Sequence, residues 1–299
     1  MGKKHTSSKI NPDQKGRNDK PGSLRYVWKR IRKNPGALWG LIFVIVLFIL
    51  SFLSPYICKY DYQEIIMKSR FAFPSAEHLL GCDEVGRDIL SRILYGAKYT
   101  LSIGILSTAF SGIAGVLLGA VAGYFGGSTD TLIMRCLDVF QAFPNILLAI
   151  AISAVLGSGF DKVIYAIGIS GIPNFARMMR ANILTVRNQE FIEAATSINC
   201  STFRIIAHHV VPNAISPLIV QVAMGIASSA LAASGLSFLG FGVQAPTPEW
   251  GAMLASARGY MRDYPHLVII PGLFIMLTVL SFNLVGDAIR DALDPKLRD

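Results

Sequence analysis

PGALWGLIFVIVLFILSFLSPYIC, residues 35–58, contains no charged side chain. A membrane-spanning helix needs about 20 mostly apolar residues, and this run exceeds that. Four more stretches also lack charge: Tyr99–Thr129, Val139–Phe160, Val210–Pro248 and Tyr264–Gly286. Composition alone, at 52% hydrophobic and 16% charged residues over 299 positions, would suit a large soluble core as well as a bundle in lipid. Run length separates the two, because a soluble fold of this size cannot hide so many long uncharged segments. The expected class is an all-α integral membrane protein.

The net charge of +9 is local. Residues 1–34 hold 11 Lys or Arg and two Asp, while the other 265 residues hold 17 of each sign. A basic tail of this kind fits retention on the inner side of a membrane and attraction to anionic lipid. A nucleic-acid module would need its own patterned core, so no nucleic-acid partner is expected. The polar composition of residues 1–23 predicts disorder. No brief apolar stretch with a small-residue cleavage site follows the basic region, so the first span is expected to remain as an anchor.

Leu24, Val27, Trp28 and Ile31 recur at helical spacing with basic residues between them. Residues 24–34 therefore read as an amphipathic helix on the membrane surface, ended before Pro35, or as a plain extension of the first span. Six spans are expected, at about 37–57, 99–123, 132–156, 162–182, 210–236 and 265–287. The fourth has only 14 uncharged residues between Lys162 and Arg177. That is about 21 Å of helix against a ~30 Å hydrocarbon core, so its arginines are expected to snorkel towards the headgroups. With a cytoplasmic N-terminus, inner segments hold 19 of the 28 Lys and Arg and outer segments 9, the bias the positive-inside rule requires. An even number of spans puts both termini inside.

EAATSINCSTFRIIAHHVVPN, residues 193–213, is a polar, helix-prone island among these runs, and lipid will not hold it. It reads as two short helices at an angle. Residues 190–198 form the first, Asn199 ends it in a left-handed conformation, and Ser201 caps a second starting at Thr202. Ala194 and Ala195 are small enough for close docking, and Phe203, Ile205 and Ile206 would supply apolar contact. His208 and His209 point about 100° apart on a helix and have no Cys or acidic ligand at a recognised spacing, so no metal site is expected there.

The island resembles the signature loop of the membrane subunits of bacterial ATP-binding-cassette importers, which begins Glu-Ala-Ala and ends near Leu-Pro. Glu193, Ala194, Ala195 and Pro212 match. Asn199 stands where the family has Gly, and Val211 where it has Leu. Further resemblance to the peptide and nickel branch lies in LLGCDEVGRDILSRILYGA at 79–97, GYFGGSTDTLIMRCLDVFQAFP at 123–144, SFLGFGVQAPTPEWGAML at 237–254 and FNLVGDAIRDALDP at 282–295. The resemblance covers roughly residues 24–297.

It implies a type I importer permease bundle over residues 35–297, with an external segment at 58–98 and a cytoplasmic coupling loop at 183–209. Glu193, Ala194, Ala195, Asn199, Ser201 and Pro212 would lie at or near an ATPase subunit. It further implies two ATPase subunits or domains, a second homologous permease, an extracytoplasmic substrate-binding protein, and a bacterial cytoplasmic membrane. The chain itself would need no cofactor, with ATP and Mg used by the partners. No phosphate-binding loop, Ser-His-Asp set or paired carboxylates can be assigned, so a catalytic role is not expected. The cargo would be a peptide, with nickel or another small solute as the alternative. An ATP-independent channel is the rival from another class, and transport surviving ATP depletion would reveal it.

Three further features stay open. Ser107, Ser111, Gly115, Gly119 and Gly123 form a small-residue ladder, either a seam against a moving helix or second permease, or packing inside this bundle. Asp83, Glu84, Arg87 and Asp88 form the densest charge cluster, either an external gate or docking network or a solvated turn capping the second span. Cys58 and Cys82 both map outside, so a disulfide between them is conceivable.

Overall fold

The computed structural model describes residues 24–293 and is helical; among the described residues there is no strand, only one isolated bridge between Cys82 and Asp88. The proposed disorder of residues 1–23 and the stretch 294–297 lie outside the described residues.

The helices are α1 (Leu24–Lys33), α2 (Pro35–Ile57), α3 (Ile89–Phe125), α4 (Gly127–Gln141), α5 (Asn145–Leu156), α6 (Phe160–Val186), α7 (Glu190–Ser197), α8 (Thr202–Arg204), α9 (Val211–Ala214), α10 (Ser216–Phe238), α11 (Trp250–Ala257) and α12 (His266–Leu293). A π-helical turn, Ile205–Val210, joins α8 to α9.

Helices α2, α3, α10 and α12 are each long and apolar enough to cross a bilayer. Their outer faces are apolar: Ile42, Ile45, Phe52, Ile113, Leu117, Ile269 and Met276 are all exposed. So much contiguous exposed hydrocarbon has lipid as its natural solvent.

Helix α2 begins where Asn34 accepts hydrogen bonds from the amides of Gly36 and Ala37, with Pro35 in the first turn, where its missing N–H costs nothing. It packs closely on α12 at Gly40, where a Cβ would stand 2.8 Å from the Ser281 carbonyl oxygen.

The expected span at 99–123 is the later part of a longer helix. Helix α3 runs for 37 residues and starts at Ile89, so residues 89–98 leave the external segment and join the bundle. Arg92 and Lys98, which interrupt the apolar run, hid this start from a count of uncharged residues.

The expected span at 132–156 is not one straight helix. Helices α4 and α5 meet at an 86° bend, where Pro144 has no N–H to continue the ladder. Helix α4 carries Asp130 and Asp138 to α6, where they pair with Arg180 and Arg177, and Gln141 Nε2 donates to Asn174 Oδ1 at 2.9 Å. The arginines of α6 therefore meet carboxylates of α4. Helix α6 itself is continuous over 27 residues, about 40 Å at 1.5 Å per residue.

The small-residue ladder faces inward, against α6. Ser111 Oγ donates to the Gly168 carbonyl at 2.6 Å. A Cβ on Gly115 would strike Phe175, one on Gly119 the Ala176 carbonyl, and one on Gly123 would sit 2.9 Å from Ile183 Cβ. This seam belongs to the bundle. Arg187, just past α6, closes it by donating to the carbonyls of Gly123 and Tyr124 at the end of α3.

Candidate functional site

Helix α7 follows α6 after a short turn and folds back under the bundle. Ile192 and Ala195 are buried in one core cluster with Met179, Ile183, Val186, Ile205, Val210, Ala214 and Leu218. The opposite face is open. Phe191, Glu193 and Ala194 are exposed, Ile198 is 76% exposed and Phe203 79% exposed. Large apolar groups on a polar hairpin, set beside a small residue, make a surface suited to another protein.

Asn199 makes the turn. Its φ of +58° lies in the left-handed region that Asn tolerates better than most residues, and the amide of Cys200 donates to the Ala195 carbonyl at 3.1 Å, closing the end of α7. Ser201 stands in the N-cap position of α8 with extended backbone, but its hydroxyl makes no capping bond. The expected cap is thus absent, and the hydroxyl is exposed. Pro212 lies at the start of α9. The π turn before it was not expected from sequence; the Asn213 side chain accompanies it, donating to the His209 carbonyl at 2.6 Å.

The structure divides the residues assigned to docking. Ala194 faces out and Ala195 faces in, held at 7% exposure against the bundle. Ile205, expected to supply apolar contact to a partner, is buried in the same core at 2%. An eight-residue helix has two turns, and the side that packs on the bundle needs its own small residue.

At the other end of the bundle, the charge cluster is buried instead of solvated. Asp83 Oδ2 accepts from Arg87 Nε at 2.6 Å and lies 3.5 Å from Arg92 Nε, while Oδ1 takes the amides of Val85 and Arg87. Asp88 caps α3 by accepting from the Ser91 amide and hydroxyl, and His78 Nδ1 lies 3.0 Å from its other oxygen. All three, Asp83, Arg87 and Asp88, are more than nine-tenths buried. Carboxylates this enclosed hold the loop onto the head of α3; they are not free to dock a receptor.

Cys58 and Cys82 are both free thiols. Burial, with Asp88 nearby, pushes the Cys82 thiol up to about 12, which leaves it unreactive at neutral pH.

Glu249 and Trp250 carry a role that motif reading alone did not assign. Trp250 is wholly buried, and its indole N–H donates to the Ile93 carbonyl at 3.1 Å. Glu249 is also wholly buried. It caps α11 by accepting from the Ala252 amide at 2.9 Å and takes hydroxyl donors from Thr100 and Ser234. It thereby joins α3, α10 and α11 at one carboxyl.

Burial raises the Glu249 pKa, against hydrogen bonds that lower it. A carboxyl whose folded pKa is raised favours the fold while protonated, and that contribution is lost as pH rises through the folded value. Glu249→Gln, which mimics the protonated form, should therefore melt higher than wild type by a margin that grows from pH 5 to pH 8, read by thermal unfolding in detergent. An equal margin at both pH values would show that the folded state does not raise the Glu249 pKa above that of the unfolded chain.

Comparison with known proteins now fits this architecture. The sequence profile described as "binding-protein-dependent transport system inner membrane component" matches residues 115–299, and that of the "N-terminal TM domain of oligopeptide transport permease C" matches residues 23–74. The chain belongs to the binding-protein-dependent transport permeases, in the peptide branch of the ATP-binding-cassette importers.

A dipeptide transport system permease of Alkalihalophilus pseudofirmus is 43% identical over 274 residues, covering 92% of this chain and 90% of that one. A glutathione transport system permease of Escherichia coli O6:K15:H31 is 46% identical over 272 residues, covering 91% and 90%. Among solved structures, an inward-facing methionine ABC transporter matches with a TM-score of 0.56 at 16% identity, covering 68% of this chain and 97% of that one. That likeness shows the fold. The chain is a multi-pass inner-membrane transport component.

Proposed function

We propose that this chain is the permease subunit of an ATP-driven importer that carries short peptides inward by alternating access. It crosses the cytoplasmic membrane six times, with the bent α4–α5 pair as one crossing, α6 as another, and both termini inside. It pairs with a second, homologous permease. Two ATPase subunits grip the pair from the cytoplasm, and an external binding protein delivers the cargo. Dipeptides and glutathione appear in the names of similar permeases, which favours peptide over nickel or another small solute.

One observation carries the reading. The α7–α8 hairpin is welded to the bundle through Ile192, Ala195 and Ile205 while presenting Phe191, Ala194, Ile198 and Phe203 outward. A part with one face fixed to moving helices and the other prepared for a protein is a coupling element. ATP-driven closure of the ATPases would push it and favour one bundle state over the other, by as much as the two states differ in their contacts.

The test is uptake of a labelled dipeptide by the complete transporter in proteoliposomes. Accumulation should need ATP inside and cease on its depletion. Uptake that continues without ATP would instead favour a channel.

A further inference from the structure

A cavity of about 310 Å³ opens between α3, α5, α6 and α10, at mid-length of three of them. Half of its sixteen lining residues are polar, among them Thr108, Asn145, Asn174, Gln221, Ser228 and Ser229, and none is ionisable. Some of these groups are already engaged: Thr108 Oγ1 bonds Ser229 Oγ at 3.1 Å, and Asn174 accepts from Gln141. The carboxamides of Asn145 and Gln221 have no hydrogen-bond partner among the described residues. An unsatisfied amide is strongly disfavoured in hydrocarbon, so such groups persist where water or a polar solute reaches them.

A second cavity, of about 400 Å³, lies towards the end of the bundle that carries α7. It shares Gln221 and Met224 with the first, and its walls include Met178, Pro217 and Arg290. Arg290 is its one ionisable lining residue and makes no ion pair among the described residues.

We propose that the two cavities are successive stations for a short peptide, with Gln221 as the hydrogen-bonding step between them and Arg290 as the receiver of the peptide's carboxylate. This rests on the importer reading given above. A carboxamide carries one acceptor and an N–H₂ donor, the same complement as a peptide unit. A lining of hydroxyls and carboxamides without charge holds the main chain and leaves side-chain charge unread. Few and uncharged contacts also keep the hold weak, which a pathway requires if cargo is to leave. The first cavity lies at the lower end of the roughly 300–1,000 Å³ typical of small-molecule sites, a size that suits a short peptide. At the second station, a guanidinium matches a carboxylate in shape and charge.

The probe is labelled Ala-Ala, offered to the complete transporter in proteoliposomes. Gln221→Leu removes both hydrogen-bonding groups at similar volume and should lower the initial uptake rate about tenfold, the order expected for one lost hydrogen bond to cargo. Gln221→Asn should recover most of it. Arg290→Gln should slow Ala-Ala but not its C-terminally amidated form. If wild type fails to accumulate Ala-Ala, the importer reading fails. If wild type accumulates it and Gln221→Leu does so equally, the pathway inference alone is overturned.

Should Gln221→Leu not assemble, Ser228→Cys decides the matter. A bulky thiol reagent should block uptake by this variant, but not by the equally treated parent, and excess Ala-Ala should slow the block. Modification that leaves uptake intact, or a block that Ala-Ala does not slow, would overturn the assignment.

Discussion

Ala194→Asp should abolish ATP-driven uptake while leaving the permease folded. Ala194 is exposed on α7, next to Glu193 and one helical turn before the exposed Ile198. A new carboxylate there meets water in the isolated chain and costs little. In a closely docked interface it must be desolvated without a partner, at a cost of several kcal/mol. A loss of about 3 kcal/mol is roughly a hundredfold in docking affinity.

The neighbouring substitution separates docking from folding. Ala195→Asp buries the same carboxylate in the cluster of Ile192, Ile205 and Met179, so it should lower the unfolding temperature before any partner is added. Measuring thermal stability and uptake for both variants checks the assignment. Equal stability loss, or unimpaired uptake by Ala194→Asp, would contradict it.

Gly119→Leu should prevent stable folding. At this position a Cβ already meets the carbonyl of Ala176 and comes within 2.8 Å of Met179 Cβ. Backbone cannot rotate out of the way as a side chain can, so α3 and α6 must separate along the seam from Ser111 to Gly123. Overpacking of a core costs about 1–3 kcal/mol where neighbours can shift and more where they cannot. A separated seam would also strip Ser111 of its bond to the Gly168 carbonyl. Gly272→Leu is the matched control, because nothing lies within 4 Å of a Cβ there. It should fold at wild-type yield, gaining slightly in helix propensity. Monodisperse recovery in detergent reads both, and comparable recovery of the two variants would show that α3 and α6 are not locked as described.

The legible parts of this fold were those governed by one rule at a time. Helices α2 and α12 fall close to the expected spans because the absence of charge decides them. The turn at Asn199 was readable because few residues adopt positive φ. Where two rules compete, counting fails. The apolar run from Val139 to Phe160 conceals the bend at Pro144, and the carboxylates of α4 that pair with α6 are visible only when both helices are in place. The start of α3 was hidden by Arg92, whose charge is answered by Asp83 from the preceding loop.

The α7–α8 hairpin shows the same limit. Its position and turn were legible, but not which alanine faces the bundle, since two helical turns carry too little periodicity to identify a face. Glu249 left a weaker trace. Glutamate after Pro248 at the head of a short helix suggests a cap, yet only the hydroxyls of Thr100 and Ser234, distant in sequence, reveal a buried junction.

The central claim is that the hairpin of α7 and α8 is held by an ATPase subunit beneath the membrane. Phe203, exposed at the tip, is the position from which to ask. With Phe203→Cys carrying a short photoactivatable cross-linker in the assembled transporter, irradiation should join this chain to an ATPase subunit in high yield, changing with nucleotide. Cross-linking to the external binding protein, or to lipid alone, would contradict the account.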